Sequence, residues 1–81
     1  SYLRPTKAVI QEFPKIEQEL LKRYSEYKNK KSVLNLAGLA IMWGQWATYK
    51  ELFQLDTKIS NHLMTEIYFA VTEHHPDLII Y

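Results

Sequence analysis

Apolar residues recur at intervals of three and four along most of the chain, which is the period of an amphipathic α-helix. In the first half of the chain, five residues follow this spacing: Phe13, Ile16, Leu20, Tyr24 and Tyr27. They predict a helix over about 14–28. Pro14 cannot continue an earlier helix without losing a backbone hydrogen bond, but it suits the first position of a new one. We therefore expect a separate short helix over 6–13.

The middle of the chain predicts a longer helix over about 33–55, because Ser32 is a good N-cap and no proline interrupts the segment. No charged residue occurs from Ser32 to Tyr49, so this helix is apolar on nearly every side and we expect it to be buried on several faces. One of its faces carries small residues, which let another backbone approach closely: Ala37, Ala40, Gly44 and Ala47.

A third helix is predicted over about 57–74, with Asp56 as its N-cap and Pro76 ending it. We interpret His74 and His75 as residues of this helix end, where imidazoles are favoured. Together the helices predict an all-α fold, a small bundle around the central helix. We expect 1–81 to be a single helical domain. Its apolar end, Leu78–Tyr81, favours a piece of a longer chain.

Composition narrows the chemistry that this chain offers. The absence of cysteine excludes disulfides, cysteine zinc sites and thiol catalysis, and two glycines are too few for a phosphate-binding loop. His62, Glu66 and Glu73 follow one side of the last helix, but no Glu-x-x-His pair occurs to build a metal site in a bundle. We therefore predict no metal, no cofactor and no enzymatic activity.

The first functional hypothesis is a protein–protein interaction or oligomerisation module. A chain of this size buries a modest share of its surface, and two tryptophans on an uncharged helix are more than a small monomer easily hides. We expect a homodimer or another protein partner. The residues predicted to contact it share large aromatic area or small size: Trp43, Trp46, Gly44, Tyr49 and Tyr68.

A nucleic-acid-binding regulator is the second hypothesis. Residues 1–31 carry eight basic and four acidic side chains, a net charge of +4, whereas 32–81 carry a net charge of −3. The basic segment 22–31 offers phosphate contacts, and the predicted helix start over 57–63 offers side chains for base edges. The candidate phosphate ligands are basic and close in sequence: Lys22, Arg23, Lys28, Lys30 and Lys31.

A third hypothesis is a pocket for a small apolar ligand between helices, lined by Trp43, Trp46, Met42 and Met64. A membrane span is a further alternative, but the uncharged stretch from Ser32 to Tyr49 is shorter than about 20 residues and favours a buried core. The first residues lack the pattern of a signal peptide, so we expect a cytoplasmic or other intracellular location.

Overall fold

The computed structural model describes residues 4–74, which form three α-helices: α1 (Lys7–Lys30), α2 (Val33–Phe53) and α3 (Asn61–His74). Helix α2 packs against both α1 and α3. This arrangement confirms the predicted all-α bundle with the central helix at its centre. The predictions for Leu78–Tyr81 and for the side chains of His74 and His75 lie outside the described residues.

The predicted break at Pro14 is wrong, because α1 continues through this residue from Lys7 to Lys30. Phe13 and Ile16, on either side of the proline, are both buried in the core. Pro14 itself is exposed, so the hydrogen bond that it removes lies on the solvent side of the helix. Packing of one continuous apolar face outweighs the local preference for a break.

The third helix begins four residues later than predicted, and its N-cap is Ser60 rather than Asp56. Ser60 Oγ accepts a hydrogen bond from the Leu63 backbone N–H at 3.2 Å. Before it, the Ile59 backbone N–H donates to Thr57 Oγ1 at 3.0 Å, and the Ile59 side chain is buried. The connection between α2 and α3 is therefore a packed loop whose side chain contributes to the core.

The core joins all three helices and this loop. It consists of buried apolar residues: Phe13, Ile16, Leu20, Tyr24, Leu39, Ala40, Trp43, Trp46, Ile59, Ile67 and Val71. Two of the four small residues of α2 take part in this packing, since Ala40 is buried and Ala47 packs against the core. Gly44 does not, because apart from its chain neighbours and the adjacent backbone of α2, no described atom lies within 4 Å of the position that a Cβ would take there.

Helix α2 ends with Gln54 in the left-handed region, at φ 53°. This conformation costs a side-chain-bearing residue about 1 kcal/mol that glycine does not lose. We expect Gln54→Gly to raise the free energy of unfolding by up to about 1 kcal/mol. Urea unfolding followed by circular dichroism measures the change.

Gln18→Gly is the matched control, because Gln18 is exposed inside α1. There the same substitution is expected to lower the free energy of unfolding by about 1 kcal/mol. Equal losses in the two variants would contradict the argument from the left-handed conformation.

Candidate interaction face and cavity

Helix α2 presents two opposite apolar faces. Its inner face lies in the core and consists of Leu36, Leu39, Ala40, Trp43 and Trp46. On the other side, five residues follow intervals of three, four and seven and are all exposed: Leu34, Ile41, Gln45, Thr48 and Leu52. We call these five residues the outer face of α2. Because both faces are largely apolar, the helix is not amphipathic in the usual sense.

The outer face is long, uncharged and open. Leu34 is 84% exposed and Ile41 is 70% exposed, and Leu52 extends the face to the last turn of the helix. From Leu34 to Leu52 the face measures about 27 Å along the helix axis. Scattered apolar residues are normal on a protein surface, but a continuous uncharged face of this length is typical of an interaction site.

The predicted partner-binding residues occupy other positions. Trp43 is 6% exposed and Trp46 is 2% exposed, so both indoles belong to the core of the chain. Tyr49 is half-buried and stacks on Phe53, with 5.9 Å between ring centroids. Tyr68 is half-buried too, while Gly44 lies open beside the outer face. The sequence analysis therefore missed the side of α2 that is free to contact a partner.

The signal that could have found the outer face is the spacing of its large residues. Leu34 and Ile41 are seven residues apart, and Leu52 follows after eleven more. These intervals place all three on one side of a helix. Trp43 and Trp46 lie on the opposite side of α2. Because these side chains are large, the sequence prediction placed the partner contact on their face, which instead packs in the core.

The basic segment 22–31 does not present one continuous surface. Each residue advances about 100° around a helix, so Lys22, Lys28 and Lys30 point in different directions around α1. Arg23 pairs with Glu19, with 3.0 Å between Nε and Oε1. Lys31 forms the C-cap of α1. The phosphate-binding candidates are thus dispersed around a helix end.

The aromatic residues of this segment are also engaged. Tyr24 is buried, and the Lys28 ammonium lies 4.8 Å from the centre of its ring. Tyr27 is half-buried and packs against the core. Neither ring presents an open surface for base stacking, which is the usual source of affinity for single-stranded nucleic acid.

The predicted helix start over 57–63 differs from a recognition helix. Its first four residues belong to the loop, and a connection of seven residues separates Phe53 from Asn61. His62 is highly exposed and pairs with Glu66, at 3.1 Å between Nε2 and Oε1. A helix-turn-helix motif needs a turn of three or four residues, so α2 and α3 form a helical hairpin of another kind.

A cavity of about 290 Å³ lies between α2 and α3, and we call it the Trp43 cavity. Three of the four residues predicted for a ligand pocket line it, namely Trp43, Trp46 and Met64, whereas Met42 does not. The complete lining adds residues of both helices: Ala47, Lys50, Glu51, Thr65 and Tyr68. Its volume falls at the lower end of the range for small-molecule sites.

A buried carboxyl group is the polar centre of the core, and the sequence analysis did not identify it. Glu17 is 7% exposed, and its Oε2 accepts a hydrogen bond from Trp46 Nε1 at 3.3 Å. The Thr57 hydroxyl donates a second bond to the same oxygen. Glu17 follows Phe13 by four residues and precedes Leu20 by three, so its place on the buried face was visible in the spacing.

The two hydrogen bonds to Glu17 join three elements of the fold. Their donors belong to α2 (Trp46) and to the loop before α3 (Thr57), and the shared acceptor belongs to α1. Across residues 4–74, no group of three or more histidines and acidic residues comes together in a geometry that would hold a metal ion. The described part of the chain also contains no helix with the length and apolar character of a membrane span.

Comparison of the chain with models of protein families, with curated proteins and with solved structures found no match. The outer face of α2 and the Trp43 cavity are the two surface features that offer space to a partner or a ligand.

Glu17→Ala is expected to destabilise the fold strongly. It leaves the buried Trp46 Nε1 without an acceptor, at about 1–3 kcal/mol, and the half-buried Thr57 hydroxyl without one at a smaller cost. We expect chemical denaturation to show a loss of roughly 1–4 kcal/mol in the free energy of unfolding. Glu12→Ala is the control, since Glu12 is exposed on the same helix and is expected to change stability by less than about 0.5 kcal/mol. Similar losses for both variants would refute this role of Glu17.

Tyr24 makes stability depend on alkaline pH. Burial raises the pKa of its phenol above the ordinary value of 10.0, and Glu66 raises this pKa further through its charge and as the hydrogen-bond acceptor at 3.3 Å. Since the folded state holds the proton more tightly, the contribution of Tyr24 is complete below pH 10 and is lost as the pH rises through the folded pKa.

We therefore expect the free energy of unfolding to fall above pH 10, and Tyr24→Phe to make this decline shallower. Urea denaturation between pH 8 and pH 11 provides the measurement. Tyr49→Phe, which removes a half-buried hydroxyl elsewhere, serves as the control and should retain the slope of the parent chain. An unchanged slope in Tyr24→Phe would contradict the prediction.

Proposed function

We propose that this chain is a non-enzymatic oligomerisation module, in which the outer face of α2 pairs with the same face of a second copy. The observation that supports it is the continuous exposed face around Ile41, on a helix without charge from Ser32 to Tyr49. Removing such a face from water is favourable in proportion to its apolar area.

Symmetry supports a second copy as the partner. An antiparallel pair of α2 helices centred near Trp43 places Leu34 opposite Leu52 of the other copy, and Ile41 opposite Gln45. The face is thus complementary to itself when one copy is turned around.

Charge selects this antiparallel arrangement over a parallel one. The last turn of α1 and the link before α2 carry Lys28, Lys30 and Lys31, and a parallel pair would bring these two basic regions together. In the antiparallel pair, each link lies at the other copy's end of α2, where Glu51 and Asp56 balance Lys50 and Lys58. The helix dipoles also oppose each other in this arrangement.

The first test is the mass of the purified chain in solution, measured by sedimentation equilibrium over a hundredfold range of concentration. We expect a monomer–dimer equilibrium with a Kd of roughly micromolar to millimolar, since one helix face is at the small end of interface sizes. An apolar interface should change in affinity by less than about threefold between low and high salt. A monomer at every concentration would overturn the proposal.

A matched pair of variants locates the interface. Ile41→Lys introduces a charge at the centre of the outer face and is expected to weaken the dimer at least tenfold. Ile10→Lys makes the same change at another exposed isoleucine, on α1, and should leave the dimer intact. Circular dichroism confirms that both variants fold. Equal effects of the two substitutions would place the interface elsewhere.

Cross-linking then tests the orientation, because the chain contains no cysteine of its own. One chain carries Leu34→Cys and a second carries Leu52→Cys. Oxidation of their mixture should give mainly the mixed disulfide dimer in the antiparallel arrangement. A predominance of dimers joined through position 34 in both chains would indicate parallel helices and overturn the proposed register.

A further inference from the structure

The turn between α1 and α2 carries exposed apolar and basic side chains together. Arg23 of α1 lies against Gly38 of α2 and two residues separate the helices, so they run antiparallel and the turn closes them at one end. We call residues 28–34 at this end the hairpin tip. Its Val33 and Leu34 are 81% and 84% exposed, the highest values among the large apolar side chains described.

Lysines give the hairpin tip a positive charge. Lys28, Lys30 and Lys31 are all exposed, and the nearest acidic residue in sequence is Glu26, so three cations stand against one carboxylate. The Lys28 ammonium lies over a tyrosine ring. Lys30 and Lys31 form no salt bridge with any residue of the described part of the chain. These two lysines are therefore available to an anionic partner.

The two kinds of side chain differ in position along the bundle axis. A side chain on a helix leans toward the N-terminus of that helix. In the first turn of α2, Val33 and Leu34 therefore lean outward, toward the end of the bundle. Lys30, in the last turn of α1, leans back toward the body of the bundle. This places aliphatic groups at the outer end of the hairpin tip and a lysine stem behind them.

This order matches the surface of a bilayer that contains anionic lipids. There the acyl boundary accepts apolar side chains, and the headgroup layer above it attracts lysines. A soluble polyanion such as nucleic acid would pair with the lysines but leave Val33 and Leu34 in water. The lysines do not converge on one groove, because they are dispersed around the end of α1, whereas a plane can contact them together.

We propose that the hairpin tip docks on bilayers that contain anionic lipids, with Val33 and Leu34 entering the acyl boundary and Lys30 and Lys31 contacting headgroup phosphates. The inference goes beyond the proposed dimer and does not depend on it. Leu34 belongs to both surfaces, so docking and pairing compete for this side chain. Val33 lies outside the outer face of α2 and serves docking alone.

Co-sedimentation with vesicles tests the docking. The radiolabelled full chain is kept at about 0.1 µM, below the expected Kd of the dimer, so the state of the dimer does not affect the measurement. With phosphatidylcholine vesicles that contain phosphatidylserine, we expect half of the chain to bind at roughly 0.1–1 mM lipid. Each lysine adds about fivefold at an anionic surface, so phosphatidylcholine alone should bind at least tenfold more weakly. Equal binding to both vesicles, or no binding to either, would overturn the proposal.

Two soluble anions distinguish the bilayer from other sources of phosphate. Inorganic phosphate, added at constant ionic strength, should not release the chain from the vesicles, because it offers nothing to the aliphatic side chains. A DNA duplex should bind more weakly than the vesicles for the same reason. Release by inorganic phosphate would indicate a site for the free anion, and tighter binding to the duplex would indicate a nucleic-acid surface. Either result would overturn docking on a bilayer.

Leu34→Ser and Leu52→Ser form a matched pair, because both leucines are exposed at opposite ends of the outer face of α2. The dimer proposal treats them alike, since each faces the other in the antiparallel pair. Docking separates them: Leu34→Ser should weaken vesicle binding at least fivefold, and Leu52→Ser should bind like the parent chain. Circular dichroism shows that both variants are folded. Equal vesicle binding by the two would overturn docking through the hairpin tip.

Lys31→Gly removes a cation without endangering the fold. Lys31 has φ 47° and, like Gln54 at φ 53°, occupies the left-handed region that favours glycine. Lys31→Gly and Gln54→Gly should therefore both unfold at a higher urea concentration than the parent chain. Only Lys31→Gly is expected to lose about fivefold in affinity for vesicles that contain phosphatidylserine. Unchanged affinity in this folded variant would overturn the contact between the lysines and the headgroups.

Discussion

The hydrogen bonds to Glu17 hold the three parts of the structure in one arrangement. The side chain belongs to α1, its donors belong to α2 and to the loop before α3, and all of them lie at the edge of an otherwise apolar core. An apolar core tolerates many relative positions of its helices, whereas a buried polar group is satisfied in few. Trp46 is thereby fixed in direction, and Trp43 and the cavity wall depend on its position.

Helix α2 has one covered face and one open face. Because α1 and α3 both pack on the inner side of α2, the outer face has no neighbour among the elements described. The apolar residues there are not needed for the core. Gly44 has open space where a side chain would fit, so nothing within the described fold requires a glycine at that position. Close approach of a second helix would give Gly44 a function.

The fold class could be predicted from the sequence because the spacing of apolar residues and the distribution of charge extend over the whole length of each helix. The predicted helix boundaries were wrong where tertiary contacts compete with a local preference. Pro14 favours a helix break locally, but a continuous helix buries both Phe13 and Ile16 in the core, so the helix continues through the proline. Asp56 is a good N-cap in isolation, but Ile59 is buried in the loop, and the N-cap of α3 is Ser60.

The candidate sites could be predicted only in part, for a related reason. The large side chains of Trp43 and Trp46 marked them as candidate site residues, and both line the cavity, which could therefore be anticipated. Which side of a uniformly apolar helix faces the core, however, is decided by the neighbouring helices. The outer face required knowledge of which residues α1 and α3 leave uncovered.

The energetics of the outer face set the scale of the proposed association. The exposed fractions of Leu34, Ile41 and Leu52 amount to about two fully exposed apolar side chains in each copy. Burying them in both copies would contribute roughly 6–12 kcal/mol, and association costs about 4–15 kcal/mol in lost motion. The balance of these two terms reaches about 8 kcal/mol at their favourable ends, which corresponds to the micromolar end of the expected Kd. Since neither copy contributes a charge at the centre of the face, this balance depends on fit and apolar area, and a partner with a longer or flatter apolar surface would compete directly with the second copy.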